Sequence, residues 1–189
     1  MATTEIRISG FGGQGVILAG YIIGKAAAVM EGRHATLNQS FGPEARGSAC
    51  SAQLIVSDQP VTYPYVRRTD ILIAMSQDAF RRFAGEVRDG GLVLMDDSLV
   101  TCPPDPRLRT LGAPATRTAE QLGRRIVSNM VMVGLFAATT GIVTTGAARE
   151  AVRTSVPSGT EEINLKAFDR GVEMGRALVA PRSLQEAKA

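Results

Sequence analysis

The chain has no tryptophan, one histidine and two cysteines in 189 residues, and each scarcity removes a class of chemistry. A zinc or iron–sulfur centre normally draws on about four ligands, so Cys50 and Cys102 cannot build one alone. The lone imidazole, His34, makes neither a triad nor a metal site and is given no role. Cys50 falls in an apolar, strand-like run and Cys102 in a Pro-rich loop, so no disulfide framework is expected. With no recognisable signal peptide, the expected location is the reducing cytoplasm.

Charge of one sign is also missing. The formal net charge is only +3, and the arginines are scattered with acids between them, so no nucleic-acid tail is expected. A membrane span wants about 20 strongly apolar residues. The longest apolar stretch, 126–143, follows Arg124 and Arg125 and is broken by Ser128, Asn129, Thr139, Thr140 and two glycines. It reads as a helix buried in the fold or at a subunit interface, not as a membrane element.

Aromatics make up 5% of the chain against 44% for all hydrophobic residues, so the core must be aliphatic. That diet suits parallel strands covered by helices on both faces. Strand-like runs occur at 5–9, 33–40, 49–57, 70–75 and 92–95, with a further one near 108–111. Helical patterning follows Gly15 as far as Met30, with Gly32 as its stop. A second amphipathic helix fits 77–88, ended by Gly90 and Gly91. Four more helices are expected at about 117–123, 126–140, 144–154 and 160–178. The alternation predicts a soluble α/β domain, Rossmann-like and doubly wound, with a mostly parallel sheet and a helical C-terminal third. Residues 1–180 are expected to form one domain and 181–189 a frayed tail.

Two motifs carry the chemistry. The first, Gly10-Phe-Gly-Gly-Gln-Gly15, links the first strand to the first helix. Glycines there permit positive φ and close backbone approach, and the free N–H groups of a helix start attract an anion. Gly12, Gly13, Gln14 and Gly15 are therefore candidate binding residues, Gln14 either donating its amide to a ligand or capping the turn. A dinucleotide fold would also place an acid at the end of the second strand to hold a ribose, where this chain has Thr36-Leu-Asn-Gln39. Dinucleotide binding and a purely packing role for the glycines are the competing accounts.

The second motif is Phe41-Gly-Pro-Glu-Ala-Arg-Gly47, followed by Ser48. If it lies at the carboxyl end of a parallel strand, Glu44, Arg46 and Gly47 sit beside the glycine turn, and Arg46 can bind a phosphate, a carboxylate or a partner subunit. The plain alternative is a surface turn with an internal ion pair, worth ~0–1 kcal/mol.

Taken in order, these motifs resemble the gamma subunit, or fused gamma domain, of 2-oxoacid:ferredoxin oxidoreductases. The resemblance runs from Gly10 through Val16, Ala19 and Gly20. It continues with the 41–47 motif, Ile55-Val-Ser-Asp58, Tyr63-Pro64 and 70–75, then Asn129-Met-Val-Met-Val-Gly134, Asn164, Ala167-Phe168 and Gly171. Ser48 departs from it, standing where the family has a second glycine. The resemblance implies a complex that converts a 2-oxoacid and coenzyme A to acyl-CoA and carbon dioxide, with electrons passing to ferredoxin. Thiamine diphosphate, Mg2+ and iron–sulfur clusters are then expected on alpha, beta and ferredoxin-like subunits. This chain would be inactive alone, supply no catalytic residue and no metal ligand, and shape the cleft that receives coenzyme A. A free-standing gamma chain of this kind points to 2-oxoglutarate. The alternatives are a free nucleotide-binding oxidoreductase domain and a pure assembly scaffold.

Of the remaining residues, Asn129 needs a hydrogen-bond partner if buried. Asp96 and Asp97 could hold a cation, but a turn or helix cap is the commoner use. Arg67 and Arg68, after Tyr63-Pro-Tyr65, read as a solvated face or a contact for an acidic partner.

Overall fold

The structure, a computed structural model, describes residues 3–41 and 49–180. Its first strand shows why the chain layers as it does. In β1 (Thr3–Phe11), Ile6 and Ile8 enter the main core, while Glu5, Arg7 and Ser9 alternate onto the opposite sheet face. After the glycine turn comes α1 (Val16–Lys25), which widens into one π-helical turn, Ala26–Met30, and ends at Gly32 with φ 67°.

β2 (His34–Phe41), β3 (Ala49–Ser57) and β4 (Thr69–Ala74) follow, then α2 (Gln77–Phe83), β5 (Val87–Asp96) and β6 (Arg109–Ala113). The rest is helical: α3 (Ala115–Gln121), α4 (Ser128–Thr140), α5 (Thr145–Arg153) and α6 (Glu161–Val179). These last four lie within about three residues of the expected helices.

One six-stranded sheet has the order β2-β3-β1-β4-β5-β6. β1, β4, β5 and β6 pair in parallel, whereas β3 pairs antiparallel with both β1 and β2. The sheet is therefore mixed, with β3 alone running against its neighbours. The cause is chain length: only 42–48 connect β2 to β3, and a parallel crossover takes a dozen or more residues.

A second departure concerns the helix expected at 77–88. It stops at Phe83, a 3-10 turn covers Ala84–Glu86, and Gly90 and Gly91 lie inside β5. A side chain on Gly91 would run into Val87 and crowd the carbonyls of Arg88 and Asp70. These glycines thus accommodate a bulge, seen as the register shift between Thr69 and Ile71 of β4.

Helices cover both faces. Side chains of α1, α3, α4, α5 and α6 share one core with Ile6, Ile8, Leu54, Ile73 and Leu94. On the other face, Phe80 and Phe83 of α2 pack over Leu72, Ala74 and Val93. α4 is buried from Ser128 to Ala137, and no helix among the described residues is long and apolar enough to cross a membrane. α4 meets α6 almost backbone to backbone: a Cβ on Gly134 would overlap the Phe168 carbonyl, and one on Gly171 the Val131 carbonyl.

Candidate functional site at the glycine turn

β1 ends in a turn closed by the Gln14 N–H donating to the Phe11 carbonyl at 3.1 Å. Gly13 (φ 96°) and Gly15 (φ 70°) take left-handed backbone that a side chain would strain. Gly15 caps α1 with no side chain, so the amides of Val16, Ile17 and Leu18 have no hydrogen-bond partner among the described residues. Gly12 and Gly13 are exposed in front of this helix start. An anion placed there would meet N–H groups and the positive end of the helix dipole.

Gln14 does not face that space. Its Oε1 accepts from the Phe11 N–H at 2.7 Å, and its Nε2 donates to the Met75 carbonyl at 2.8 Å. Gly10 makes room for this fold-back, since a Cβ there would overlap the Gln14 oxygen. Of the two uses read from the sequence, the structure realises the internal one. Asn129 is buried, and its Nδ2 donates to the Gly15 carbonyl at 3.2 Å, joining α4 to the turn. Sequence reasoning asked for a partner to Asn129 without finding which; the carbonyls of Met75 and Gly15 carry no signal in sequence.

Gly12, Gly13, Gln14 and Gly15 are thus brought together. Glu44, Arg46 and Gly47 lie outside the described residues. Their flanks do not: Ala49 pairs with Phe11, and Phe41 with Cys50, so β2 ends and β3 begins at the sheet edge that carries the turn. Because β3 separates β2 from β1, the strand that would carry a ribose-binding acid is not β1's neighbour, and its Thr36-Leu-Asn-Gln39 stretch contains none. A largely apolar cavity of about 190 Å³ opens beside the turn, bordered by Gly15, Leu18, Ile126, Asn129, Ile163 and Asn164.

Of the acids Asp96 and Asp97, the first serves the fold. Asp96 is fully buried and accepts from the Thr116 N–H (3.0 Å), the Thr116 hydroxyl (2.5 Å) and the Ser98 N–H (3.1 Å), joining β5 to α3. Asp97 is exposed, and partial desolvation, then the neighbouring Asp96 charge, push its carboxyl above its usual range. Among the described residues, no group of three or more His, Cys, Asp or Glu could hold a metal ion. His34 starts β2 and is exposed. Cys50 and Cys102 are both free thiols, and burial raises the pKa of each.

A family model for pyruvate ferredoxin/flavodoxin oxidoreductase matches residues 5–174. The 2-oxoglutarate synthase subunit KorC of Methanothermobacter thermautotrophicus is 49% identical over 177 residues, which cover 90% of this chain and 94% of that protein. The keto/oxoacid ferredoxin oxidoreductase gamma subunit from Geobacter sulfurreducens has a similar structure. Its TM-score is 0.85 at 40% identity, covering 94% of this chain and 98% of that one. The fold, at 21% identity and a TM-score of 0.85, also matches a 2-oxoglutarate:ferredoxin oxidoreductase from Magnetococcus marinus with 2-oxoglutarate, coenzyme A and succinyl-CoA bound. There the match covers 96% of this chain and 32% of the other. With most of its length matched, in sequence and in structure, the chain belongs to the pyruvate ferredoxin/flavodoxin oxidoreductase family, as a gamma-type subunit of a 2-oxoacid:ferredoxin oxidoreductase.

Proposed function

We propose that this chain serves a complex converting 2-oxoglutarate, coenzyme A and oxidised ferredoxin to succinyl-CoA, carbon dioxide and reduced ferredoxin. Its glycine turn and residues 44–47 form one wall of the cleft that receives coenzyme A. The observation that carries this is the helix start behind Gly12 and Gly13. It offers the amides of Val16, Ile17 and Leu18, while the Thr36-Leu-Asn-Gln39 stretch of β2 has no ribose-binding acid and β2 is not the neighbour of β1. Such a surface suits an anionic group completed by another chain better than a whole dinucleotide. The identity to KorC, the 2-oxoglutarate synthase subunit, supports the choice of 2-oxoacid.

Within this reading, Gly12, Gly13 and Gly15 act through backbone, and Gln14 sets their conformation. Glu44, Arg46 and Gly47 complete the wall, Arg46 with charge-assisted hydrogen bonds to an anionic group. In this reading thiamine diphosphate with Mg2+ and the iron–sulfur clusters belong to the alpha, beta and ferredoxin-like subunits. The complex is placed in the cytoplasm.

The test is to assemble the complex and assay viologen reduction with 2-oxoglutarate, pyruvate, a branched-chain 2-oxoacid and indolepyruvate. 2-Oxoglutarate is expected to give the highest kcat/KM; a preference for another acid overturns the substrate assignment. Arg46→Ala is expected to raise the KM for coenzyme A about tenfold, or ~1.4 kcal/mol. Unchanged constants for both substrates would leave only a scaffold. Tight NAD or FAD binding by the isolated chain would favour a free nucleotide-binding domain.

A further inference from the structure

At the end of β1 remote from the glycine turn, residues 60–68 form no helix or strand, yet their backbone is held by side chains from three adjacent strands. Asn38 Nδ2 of β2 donates to the Pro64 carbonyl at 2.6 Å. The Val66 N–H donates to Gln53 Oε1 of β3 at 3.1 Å. The N–H groups of Arg67 and Arg68 donate to Glu5 Oε2 of β1 at 2.6 and 2.8 Å. Glu5 and Gln53 belong to the sheet face opposite α1, and Asn38 pairs with Gln53, so the segment lies over the half of that face away from α2.

Fixing the backbone leaves the large side chains outside. Tyr63 is 47% exposed and Tyr65 53%, with ring centroids 5.6 Å apart. The Arg67 guanidinium lies over the Tyr63 ring, 4.1 Å from its centroid. Among the described residues, neither Arg67 nor Arg68 has an ion-pair partner. Below lies a shallow cavity of about 270 Å³ lined in part by Thr3, Glu5, Ile55 and Ser57.

Tyrosine and arginine are the residues most enriched where protein interfaces are energetically dense. A guanidinium stacked on an aromatic face keeps its N–H fork free for a carboxylate. The acid in the cavity, Glu5, is half-buried and turned onto two backbone N–H groups, so the charges at the exposed surface are those of Arg67 and Arg68. Glu5 also disfavours a free phosphate in the cavity itself. We propose that the Tyr63–Tyr65–Arg67 surface docks a carboxylate-bearing segment of another subunit of the same complex, at a contact separate from the glycine-turn wall. This rests on the chain working within the proposed oxidoreductase complex.

The experiment uses the complex, co-expressed with a partner subunit that carries an affinity tag. Residence of this chain on the tagged partner is followed through a salt gradient for wild type, Arg67→Glu and Tyr63→Ala. Arg67→Glu is expected to shorten residence at least about tenfold and to release the chain at lower salt, as loss of a charge-assisted contact should. Tyr63→Ala should shorten it too. Wild-type residence for both variants overturns the inference. Neither substitution removes a backbone N–H that Glu5 holds, so the melting temperatures of the free variants should match wild type. In the wild-type protein, amide exchange across 62–68 should slow on assembly; equal exchange in free and assembled chains overturns the inference independently of any variant. A wild-type chain that never co-purifies with the other subunits would count against the complex itself, and against this contact with it.

Discussion

The side-chain amide of Gln14 bridges two strand ends, accepting from Phe11 at the close of β1 and donating to Met75 just beyond β4. Both bonds serve backbone groups, so their loss leaves a donor and an acceptor to find water. Gln14→Ala should lower stability by ~1–2 kcal/mol, read as a lower urea midpoint with an unchanged slope. Gln14→Glu keeps the acceptor but sets a carboxylate against the Met75 carbonyl. Its deficit should be at least as large at pH 7 and should shrink at pH 4, where the protonated acid can donate. A variant as stable as wild type at both pH values would show that the bridge contributes nothing.

Close approach of α4 and α6 gives a sharper expectation. Gly171→Ala sets a methyl against the Val131 carbonyl, and Gly134→Ala sets one against the Phe168 carbonyl. Backbone atoms cannot step aside as a flexible side chain would, so each should cost ~2–3 kcal/mol or more. Gly146, near the start of α5, has open space around its Cβ position. Gly146→Ala should raise stability by ~0.5–1 kcal/mol through helix propensity and reduced freedom of the unfolded chain. Thermal melts of the three variants check the contrast.

Asp97 predicts a pH dependence of definite sign. Its carboxyl holds its proton more tightly folded than unfolded, first because folding partly desolvates it and then because Asp96 is adjacent, with Arg117 opposing. Rising pH therefore removes stability, starting near the ordinary aspartate value and ending once the folded-state group has ionised. Asp97→Asn lacks this loss. Its urea midpoint should exceed that of wild type at pH 7, and the gap should close towards pH 3. A gap that widens on acidification would reverse the assignment.

Much of the fold was legible because the pattern was strong. The apolar run near 70–75 becomes β4, and the long apolar stretch at 126–143 becomes, from Ser128, a helix buried along most of its length. What failed depends on distant partners. Gly90 and Gly91 read as a helix stop, but they lie at a bulge of β5, set by the register with β4 that no local pattern reveals. The reversal of β3 was available in principle from the shortness of 42–48, yet alternating elements suggested parallel pairing. In the site, the glycine-rich turn was readable from its motif and its place between a strand and a helix, and Gly13 and Gly15 do take the positive φ such a turn requires. The commitment of the Gln14 amide was not readable, because Met75 lies on a different strand end.

Three ties fix the glycine turn: its own Phe11–Gln14 closure, the Gln14 bridge to Met75, and the Asn129 bond from α4. Its conformational entropy has therefore already been lost when the chain folds, before any ligand arrives. A group that matches the turn would bind without a further ordering cost, which favours modest contacts and fast exchange. A group of the wrong shape would find little give. The same rigidity that makes the turn a poor general-purpose pocket makes it a fixed template against which a neighbouring chain can close.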